Sequence, residues 1–345
     1  MSSPPWLSQG QLGVLGTGAA VPGSPIGTEV LIEMMADRFG FTRSREARTI
    51  ARLLAIDTRH GCRPFEARAE MPRDGQSNPE LAARAVQAAL ADAGMTVSDL
   101  GYLVGHTATP AQPLPANIAV VADVLGYGGP HIELRQACTG FANALMIAFG
   151  LLAASGGRPV AIVGSETGSL FFDPALLNAQ AGQIVNLVQM GDGAGAIILG
   201  RAADGALLHG AWFGSIGLDR SPGIQRRHGE HVFDHDFTAI RQSGRLLFEA
   251  GRDAAIRQGC APETADRIIP HQVSGRIGQQ LSNHFGLSAE RMFVNADRIG
   301  NTGSAAIWLA LAELRASGLK RGSRVLSLGA EASKYMHGGF IYDHA

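Results

Sequence analysis

The stretch Arg135-Gln-Ala-Cys138-Thr-Gly140 returns later in the chain as Arg298-Ile-Gly-Asn301-Thr-Gly303. An apolar, helix-like run follows each copy and ends at a glycine, as helices often do. A strand-like run comes next, at residues 160–166 in the first copy and 325–331 in the second. The chain therefore contains an internal repeat, and Cys138 and Asn301 occupy equivalent positions in it.

The two copies also match upstream of these stretches. A short strand-like segment ends on His106 in the first copy and on His271 in the second, an offset of about 165 residues. Alternating helices and strands predict an α/β protein with mainly parallel sheets and right-handed crossovers. We place two βαβαβ halves about a pseudo-dyad at residues 1–205, which carry Cys138, and 206–345, which carry His271.

The composition argues against several classes of function. The 345 residues include 29 basic and 30 acidic side chains, a formal net charge of -1, which gives no field to attract nucleic acid. Hydrophobic residues make up 46% and charged residues 17%, as in a densely packed globular enzyme. Three cysteines do not form a disulfide framework and favour a reducing compartment. Because the N-terminus has no targeting pattern, we expect a cytoplasmic location.

One run without a charge, residues 139–157, is long enough to be considered as a membrane span. Its glycine, alanine, serine and asparagine content dilutes its hydrophobicity. A helix buried at the centre of a large soluble protein is the better interpretation. We therefore predict no membrane partner.

Cys138 is the candidate nucleophile. If the two copies pack about their dyad, the helices that follow Cys138 and Asn301 begin close together at the centre of the molecule. A thiol in the first turn of a helix lies at the positive end of the macrodipole, which favours the thiolate. The repeat brings His271 to the same point and completes a Cys/His/Asn set for covalent catalysis. Cys62 and Cys260 have no such setting and are interpreted as packing residues.

His106 is the repeat mate of His271, but no other feature of the sequence recommends it. A structural role is the better interpretation.

Four motifs together resemble the β-ketoacyl-acyl carrier protein synthase III group of thiolase-fold condensing enzymes. They are Gln136-Ala-Cys138-Thr-Gly-Phe141, Pro270-His271-Gln272, Gly300-Asn301-Thr302 and Met190-Gly-Asp-Gly-Ala-Gly195. The resemblance runs from about residue 12 to 343 and implies a thiolase-like fold in α-β-α-β-α layers.

The resemblance also implies a mechanism. Cys138 would accept an acyl group from a thioester of coenzyme A or acyl carrier protein. His271 and Asn301 would bind the carbonyl of a second thioester and assist decarboxylation of its malonyl unit, so that a Claisen condensation gives a 3-oxoacyl product. The enzyme would be an acyltransferase of fatty acid or polyketide-like biosynthesis that needs no metal and no cofactor beyond these thioesters. A homodimer is implied as well, with Leu114 at the tip of the loop that closes the partner's acyl tunnel.

Three further positions are expected to bind substrate. Arg276 matches a family position near the coenzyme A or carrier entrance, where a cation would meet phosphate. Ser274 stands where the family usually has an asparagine, three residues after His271. Ser333 lies in the segment Glu331-Ala-Ser-Lys-Tyr-Met336, which replaces the family's glycine-rich turn. These departures suggest a specialised synthase with a longer acyl group or carrier-bound partners.

Several alternatives stay open. The same acyl-Cys138 intermediate would serve an acyltransferase that passes the group to an oxygen, nitrogen or carbon nucleophile without decarboxylation. The chain would also suit the role of a partner subunit in a heterodimeric synthase. A papain-like hydrolase shares the three residue types but has no reason to place them in a repeat.

Two local patterns are interpreted as structural. The run Gly191-Asp-Gly-Ala-Gly195 precedes a strand and does not join a strand to a helix, which disfavours a dinucleotide loop. A histidine- and aspartate-rich segment has metal-like spacing but no scaffold pattern, so a solvated loop is favoured. Its members are His228, His231, Asp234, His235 and Asp236.

Overall fold

The strands that follow the two repeated stretches lie in one large sheet. A computed structural model describes residues 4–64, 72–154, 157–202, 205–226 and 232–345. The strands are β1 Trp6–Leu7, β2 Gln11–Ala20, β3 Ile26–Gly27, β4 Thr58–Arg59, β5 Tyr102–His106, β6 His131–Leu134, β7 Val160–Thr167, β8 Asp192–Arg201, β9 Leu207–Ser215, β10 Ile224–Gln225, β11 Asp234–His235, β12 Arg267–Pro270, β13 Arg324–Glu331 and β14 Met336–Asp343. The helices are α1 Thr28–Phe39, α2 Ser44–Leu54, α3 Asn78–Asp92, α4 Asn117–Leu125, α5 Gly140–Ala154, α6 Ala181–Gln189, α7 Phe237–Arg257, α8 Ile277–Phe285, α9 Ala296–Ile299 and α10 Ala306–Ala316.

The order of the strands displays the repeat. The sheet runs β12-β13-β14-β9-β2-β8-β7-β5-β6, with β1 added beside β9. From the centre outward, β2-β8-β7-β5 in one half corresponds to β9-β14-β13-β12 in the other. At the outer edge β6 pairs in parallel with β5, and Met292 forms a parallel bridge with Ile268 of β12. Residues 11–13 of β2 pair with residues 207–209 of β9 and join the halves.

The expectation of mainly parallel pairing is wrong. Only the outer pairs β5/β6, β5/β7 and β12/β13 are parallel among those described. The inner pairs β7/β8, β13/β14, β2/β8, β9/β14 and β2/β9 are antiparallel. In the second half β14 follows β13 after a turn of only four residues, which is too short for the crossover that a parallel pair requires.

Helices cover both faces of each half and give five layers. The buried side chains of α5 and α10 pack with strands of both halves and form the central layer. Phe141, Trp308 and Phe340 meet there, with ring centroids 5.6 to 5.9 Å apart. Helices α3 and α4 cover the outer face of one half, and α7 and α8 cover that of the other. The predicted thiolase-like layering is confirmed.

Helix α5 is the apolar run that the sequence places at the centre, and Phe141, Leu145 and Ala148 on it are fully buried. Within the described ranges, none of the helices combines the length and the apolar character needed to cross a bilayer.

His106 explains why the start of α5 needs a glycine. The ring is buried, and a Cβ added at Gly140 would lie 2.7 Å from its Nδ1. A Cβ at Gly164 on β7 would come equally close to the ring on the other side. Trp308 Nε1 donates a hydrogen bond of 3.1 Å to His106 Nε2, and burial lowers the pKa of the imidazole to about 3. His106 thus packs β5, α5 and α10 together as a neutral core residue.

Candidate active site

Cys138 lies in the turn that starts α5. The turn is closed by a hydrogen bond of 2.9 Å from the Gly140 N–H to the Ala137 carbonyl. The next residue, Thr139, is fully buried and bonds to a carboxylate from the end of β13. Glu331 Oε2 accepts hydrogen bonds from the Thr139 N–H at 2.8 Å and from its hydroxyl at 2.7 Å. Cys138 is therefore anchored through its neighbour to the second half of the chain.

The matching carboxylate at the end of β7 is Glu166, which is also buried. It accepts hydrogen bonds from the main-chain N–H and the hydroxyl of Ser304, just beyond Asn301. The Ala108 N–H, at 2.9 Å, and the Thr109 hydroxyl complete its partners. Burial raises the pKa of Glu166 although these four bonds favour the ionised form.

The surroundings of Cys138 do not favour a thiolate. Loss of contact with water raises the pKa of the thiol well above its ordinary value, and the charges of Glu331 and Glu166 raise it further. The helix macrodipole, which favours a thiolate at Cys138, is thus opposed by desolvation and by two nearby carboxyl groups. The thiolate stays a prediction.

His271 follows β12 and is only 2% exposed. Its main-chain N–H donates a hydrogen bond of 2.8 Å to the Leu328 carbonyl on β13. Burial lowers the pKa of the imidazole to about 4, so the ring is neutral at physiological pH. Nδ1 is buried and has no hydrogen-bond partner among the described residues.

Asn301 is held by its main chain. Its N–H donates to the Gln189 carbonyl at 2.8 Å, and its carbonyl accepts from the Gly191 N–H at 3.1 Å. In the side chain, Oδ1 accepts a hydrogen bond of 3.0 Å from the Gly303 N–H. This bond fixes the orientation of the amide and leaves the donor Nδ2 for another acceptor.

Hydrogen bonds tie the three segments into one frame. Gln189 lies at the end of α6, and its main-chain carbonyl accepts the hydrogen bond from the Asn301 N–H. Its side-chain Nε2 donates a hydrogen bond of 2.8 Å to the Val273 carbonyl. Val273 is two residues beyond His271. The Ser304 hydroxyl, whose single proton is directed mainly to Glu166, also lies 3.3 Å from the Gln136 carbonyl oxygen, two residues before Cys138. The structure thus links the segments that carry the three residues singled out in the sequence.

The other predicted substrate residues lie in different settings. Ser274 is buried just after His271, and the Ser333 hydroxyl donates to Glu331 beside the Cys138 turn. Arg276 lies on the surface at the start of α8 and donates to the Arg52 carbonyl at 3.1 Å. Leu114 is 86% exposed on the loop before α4.

The alternative metal cluster gains no support. His228 and His231 lie outside the described residues. His235 is hydrogen bonded to Asn186 Oδ1 at 2.6 Å, and Asp236 caps α7 by accepting the Ala239 N–H. Across the described ranges, no group of three or more histidine, cysteine, aspartate or glutamate side chains is arranged to hold a metal ion.

The glycine run that resembles a nucleotide loop has a packing role. A Cβ at Gly191 would lie 1.8 Å from the Ile299 carbonyl oxygen, and one at Gly195 would lie 2.7 Å from Trp308 Cβ. The glycines let the start of β8 approach the Asn301 segment and α10. Cys62 is likewise structural: it is buried, and its N–H donates to Asp192 Oδ2 at 2.8 Å.

Sequence reasoning missed three residues of this frame. Glu331 is the last residue of β13 and Glu166 the last but one of β7, so their matching positions in the repeat were a usable signal. Gln189 has no such signal, because its role depends on how α6 packs between two distant segments.

Comparisons with known proteins agree with this geometry. Models of 3-oxoacyl-[acyl-carrier-protein] synthase III match residues 132–215, and models of its C-terminal part match residues 256–341. A β-ketoacyl-[acyl-carrier-protein] synthase III of Nitratidesulfovibrio vulgaris is 33% identical over 273 residues, which cover 73% of this chain and 80% of the relative.

Solved structures give the same result over nearly the whole chain. "AbyA1 - tetronic acid condensing enzyme" superposes with a TM-score of 0.82 at 27% identity and covers 96% of this chain and 99% of its own. The 3-oxoacyl-(acyl carrier protein) synthase III FabH of Pseudomonas aeruginosa has a TM-score of 0.79 at 25% identity, with coverages of 97% and 99%. The chain belongs to the β-ketoacyl-acyl carrier protein synthase III family and is a condensing enzyme, an acyltransferase.

Proposed function

We propose that this enzyme transfers an acyl group from a coenzyme A or carrier-protein thioester to Cys138 and condenses it with a malonyl thioester. The observation that carries the proposal is the hydrogen-bonded frame that ties the segments of Cys138, His271 and Asn301 together. It joins the segment of a half-buried cysteine to those of two side chains that are uncharged at neutral pH.

In the first step the Cys138 sulfur attacks the thioester carbonyl. The new carbon–sulfur bond forms as the bond to the carrier sulfur breaks, and the thiol proton ends on the departing thiol. The product is an acyl-Cys138 thioester, and no redox change is involved.

In the second step a malonyl thioester loses carbon dioxide, and negative charge develops on its thioester oxygen. His271 and Asn301 Nδ2 would donate hydrogen bonds to that oxygen, and neutral donors in a buried site stabilise such charge strongly. The carbanion carbon then attacks the acyl-Cys138 carbonyl. A carbon–carbon bond forms, the sulfur leaves, and a 3-oxoacyl thioester is released.

The thioester carriers would approach near Arg276. This side chain lies against the end of α2, beside a surface cleft lined by Arg48, Arg52 and Asp57. Guanidinium groups bind phosphate in a bidentate manner and also pair with acidic carrier proteins. Both the phosphate of coenzyme A and an acidic carrier fit this chemistry.

A specialised substrate is supported by two observations. The segment that bears Glu331 and Ser333 replaces a glycine-rich turn, and it places a carboxylate beside the nucleophile. A structural neighbour at 27% identity is described as a tetronic acid condensing enzyme. We therefore assign this enzyme to secondary-metabolite synthesis with an acyl group longer than acetyl.

A homodimer would cover the free edge of the sheet. Strand β6 pairs with β5 on one side only, and its Ile132 is 38% exposed. An unpaired strand edge is a template for a second copy, and the exposed Leu114 would enter the partner. Light scattering of the purified enzyme should give twice the 36.1 kDa chain mass; a monomer at micromolar concentration would contradict the proposal.

The function is tested by loading the enzyme with acyl-coenzyme A thioesters of increasing chain length and recording the intact mass. We expect an acyl adduct on the wild type and on Cys260→Ala, a matched cysteine control, but none on Cys138→Ala. Addition of malonyl thioester should then release carbon dioxide and the 3-oxoacyl product. Acyl transfer without carbon dioxide release would instead identify the non-decarboxylating acyltransferase. An adduct on Cys138→Ala would contradict the proposed nucleophile.

A further inference from the structure

The turn between β13 and β14, residues 332–335, has an unusual main-chain conformation. Its last residue, Tyr335, has a φ of +57°, in the left-handed region that a bulky side chain rarely adopts. Only 1% of the residue is exposed. Such a conformation persists where the surrounding structure holds it, and it occurs preferentially at functional sites. The contacts that hold Tyr335 therefore bear on the function of this turn.

The loop that follows β9, residues 216–223, supplies these contacts. The guanidinium carbon of Arg220 lies 4.0 Å from the centroid of the Tyr335 ring, which is a cation–π contact. Arg220 Nη2 also donates a hydrogen bond of 2.6 Å to the Ser243 hydroxyl on α7. In the opposite direction, Lys334 Nζ donates to the Arg220 carbonyl. Arg220 therefore joins the loop, the turn and α7.

Main-chain hydrogen bonds fix the same loop to the same turn. At the start of the loop, the Ile216 N–H donates to the Tyr335 carbonyl at 2.9 Å. At its end, the Gly223 N–H donates to the Ala332 carbonyl at 3.1 Å. The loop is thus bound to both ends of the turn, and the stacked Arg220 side chain lies between these two attachments.

Residues on either side of the turn contact the segment that carries Cys138. Before the turn, Glu331 accepts the two hydrogen bonds from Thr139. After the turn, Met336 Sδ accepts a hydrogen bond of 3.6 Å from Gln136 Nε2. Gln136 lies two residues before Cys138, and Thr139 lies directly after it. The position of the turn therefore determines where both sides of the Cys138 segment are held.

We propose that Arg220 and Tyr335 form a clamp that positions Cys138 for the acyl-loading step. By stacking on Tyr335, Arg220 holds the turn in place, and the turn sets the position of the Cys138 sulfur relative to the thioester carbonyl. Both are positioning residues, since they act through the Cys138 segment. The inference rests on the proposed function, in which Cys138 is acylated.

The clamp should affect one step of the reaction and not the other. The segments of His271 and Asn301 are joined through Gln189 at the end of α6, which is a different support. Loss of the clamp should therefore slow acyl loading and leave decarboxylation of the malonyl thioester unchanged. A general loss of structure would slow both steps.

The test measures both rates in the full-length enzyme, with the acyl donor that loads the wild type best in the chain-length series. Intact mass follows acyl loading, and trapped carbon dioxide follows a single turnover of fully loaded enzyme with malonyl thioester. For Arg220→Ala we expect loading to slow about 10- to 100-fold, because a small displacement of the attacking atom has a large effect on rate. Carbon dioxide release should be unchanged.

Conservative variants separate stacking from charge. Tyr335→Phe keeps the ring on which Arg220 stacks, so it should retain fast acyl loading. Arg220→Lys keeps the positive charge but has no planar group to stack, so its loading should be slower than that of the wild type.

Arg252→Ala is the matched control. This arginine on α7 also lies over an aromatic ring, 5.8 Å from the centroid of Phe285 on α8. Removing it should change neither rate. If Arg252→Ala slows loading as much as Arg220→Ala does, loss of any stacked arginine explains the result and the proposal is wrong.

Two other results overturn the proposal: wild-type loading by folded Arg220→Ala, or an equal fall in its loading and carbon dioxide release. If Arg220→Ala does not fold, Arg220→Lys is judged by the same two criteria. If no donor acylates wild-type Cys138, the proposed function fails, and alkylation of Cys138 by iodoacetamide tests the clamp alone. A segment released in Arg220→Ala should then be alkylated faster than in the wild type and Arg252→Ala, and equal rates would overturn the clamp.

Discussion

At the scale of single residues, the three side chains proposed for the reaction carry no formal charge. Cys138 is a thiol, His271 is a neutral imidazole and Asn301 is an amide. The charges beside them are negative. This arrangement suits a reaction in which charge appears on substrate oxygen and is met by hydrogen-bond donors that are already in place.

Asn301→Ala separates the two steps. We expect carbon dioxide release from a malonyl thioester to fall about 10²- to 10³-fold, because one of two donors to the developing charge is lost. The acyl adduct on Cys138 should still form. Trapping of labelled carbon dioxide and intact mass measure the two quantities.

Asn283→Ala serves as the control, because this exposed amide on α8 accepts a hydrogen bond from Gln279 on the same helix. It should change neither step. Loss of the acyl adduct in Asn301→Ala would mean that Asn301 acts in the first step.

The sequence was sufficient to predict the segments of the candidate site. The repeat singles out Cys138 and Asn301, and hydrogen bonds link their segments with that of His271. The contact between Glu331 and Thr139 was not predictable, because Glu331 is 193 positions from Cys138 and reaches Thr139 only when β13 is in the sheet.

At the scale of elements, glycines on β2 set the distance to α3. A Cβ at Gly18 would lie 2.2 Å from the Ala85 carbonyl oxygen, and one at Gly16 would lie 2.3 Å from that of Ala89. Alanines on the facing side of α3 keep the helix surface flat. The close packing of this helix on the sheet thus depends on small residues from both partners.

Gly18→Ala should therefore force α3 away from the sheet. We expect the free energy of unfolding to fall by about 3 kcal/mol, the upper end for overpacking, because the obstacle is main chain and not a flexible side chain. Urea titration of the variant and the wild type measures the difference in their free energies of unfolding.

Gly244→Ala in α7, where nothing lies within 4 Å of an added Cβ, is the control. It should instead stabilise by about 0.5 to 1 kcal/mol. Equal stability of Gly18→Ala and the wild type would contradict the close approach of α3.

Element patterns also mark the limit of the sequence. Alternating helices and strands predicted the layers and the repeat, because they depend on which residues are apolar. They did not predict strand direction at the centre. Strand direction at the centre depends on the lengths of the connections. The turn between β13 and β14 has only four residues, so the chain reverses and the two strands are antiparallel.

At the scale of the whole molecule, buried histidines make stability depend on pH. Burial lowers the pKa values of His235, His271 and His337 to about 4 and that of His106 to about 3. In the unfolded chain an imidazole takes up a proton near pH 6.5. Between these values the unfolded state binds more protons, so acid favours unfolding.

We expect the melting temperature to fall steadily from pH 7 to pH 5. Between pH 6.5 and its own lowered pKa, each of these imidazoles lowers the free energy of unfolding by about 1.4 kcal/mol for each pH unit that the pH falls. The raised pKa values of the buried Glu166 and Asp192 carboxyls oppose the trend only partly.

His235→Gln should have a shallower dependence, because glutamine can still donate to Asn186 but cannot be protonated. Differential scanning calorimetry at several pH values provides the comparison. A melting temperature that stays constant over this range would refute the assignment of neutral buried imidazoles.

The strand order has a consequence for how the enzyme is made. Strands β13 and β14 are synthesised after every other strand described, yet they lie between β12 and β9 inside the sheet. While a ribosome is still adding residues 324–343, the nascent chain has a gap in the sheet and lacks the carboxylate that caps α5. The turn that carries Cys138 thus gains its contact with Glu331 as one of the last events of biosynthesis, and a nascent chain released before this segment holds Cys138 without that frame.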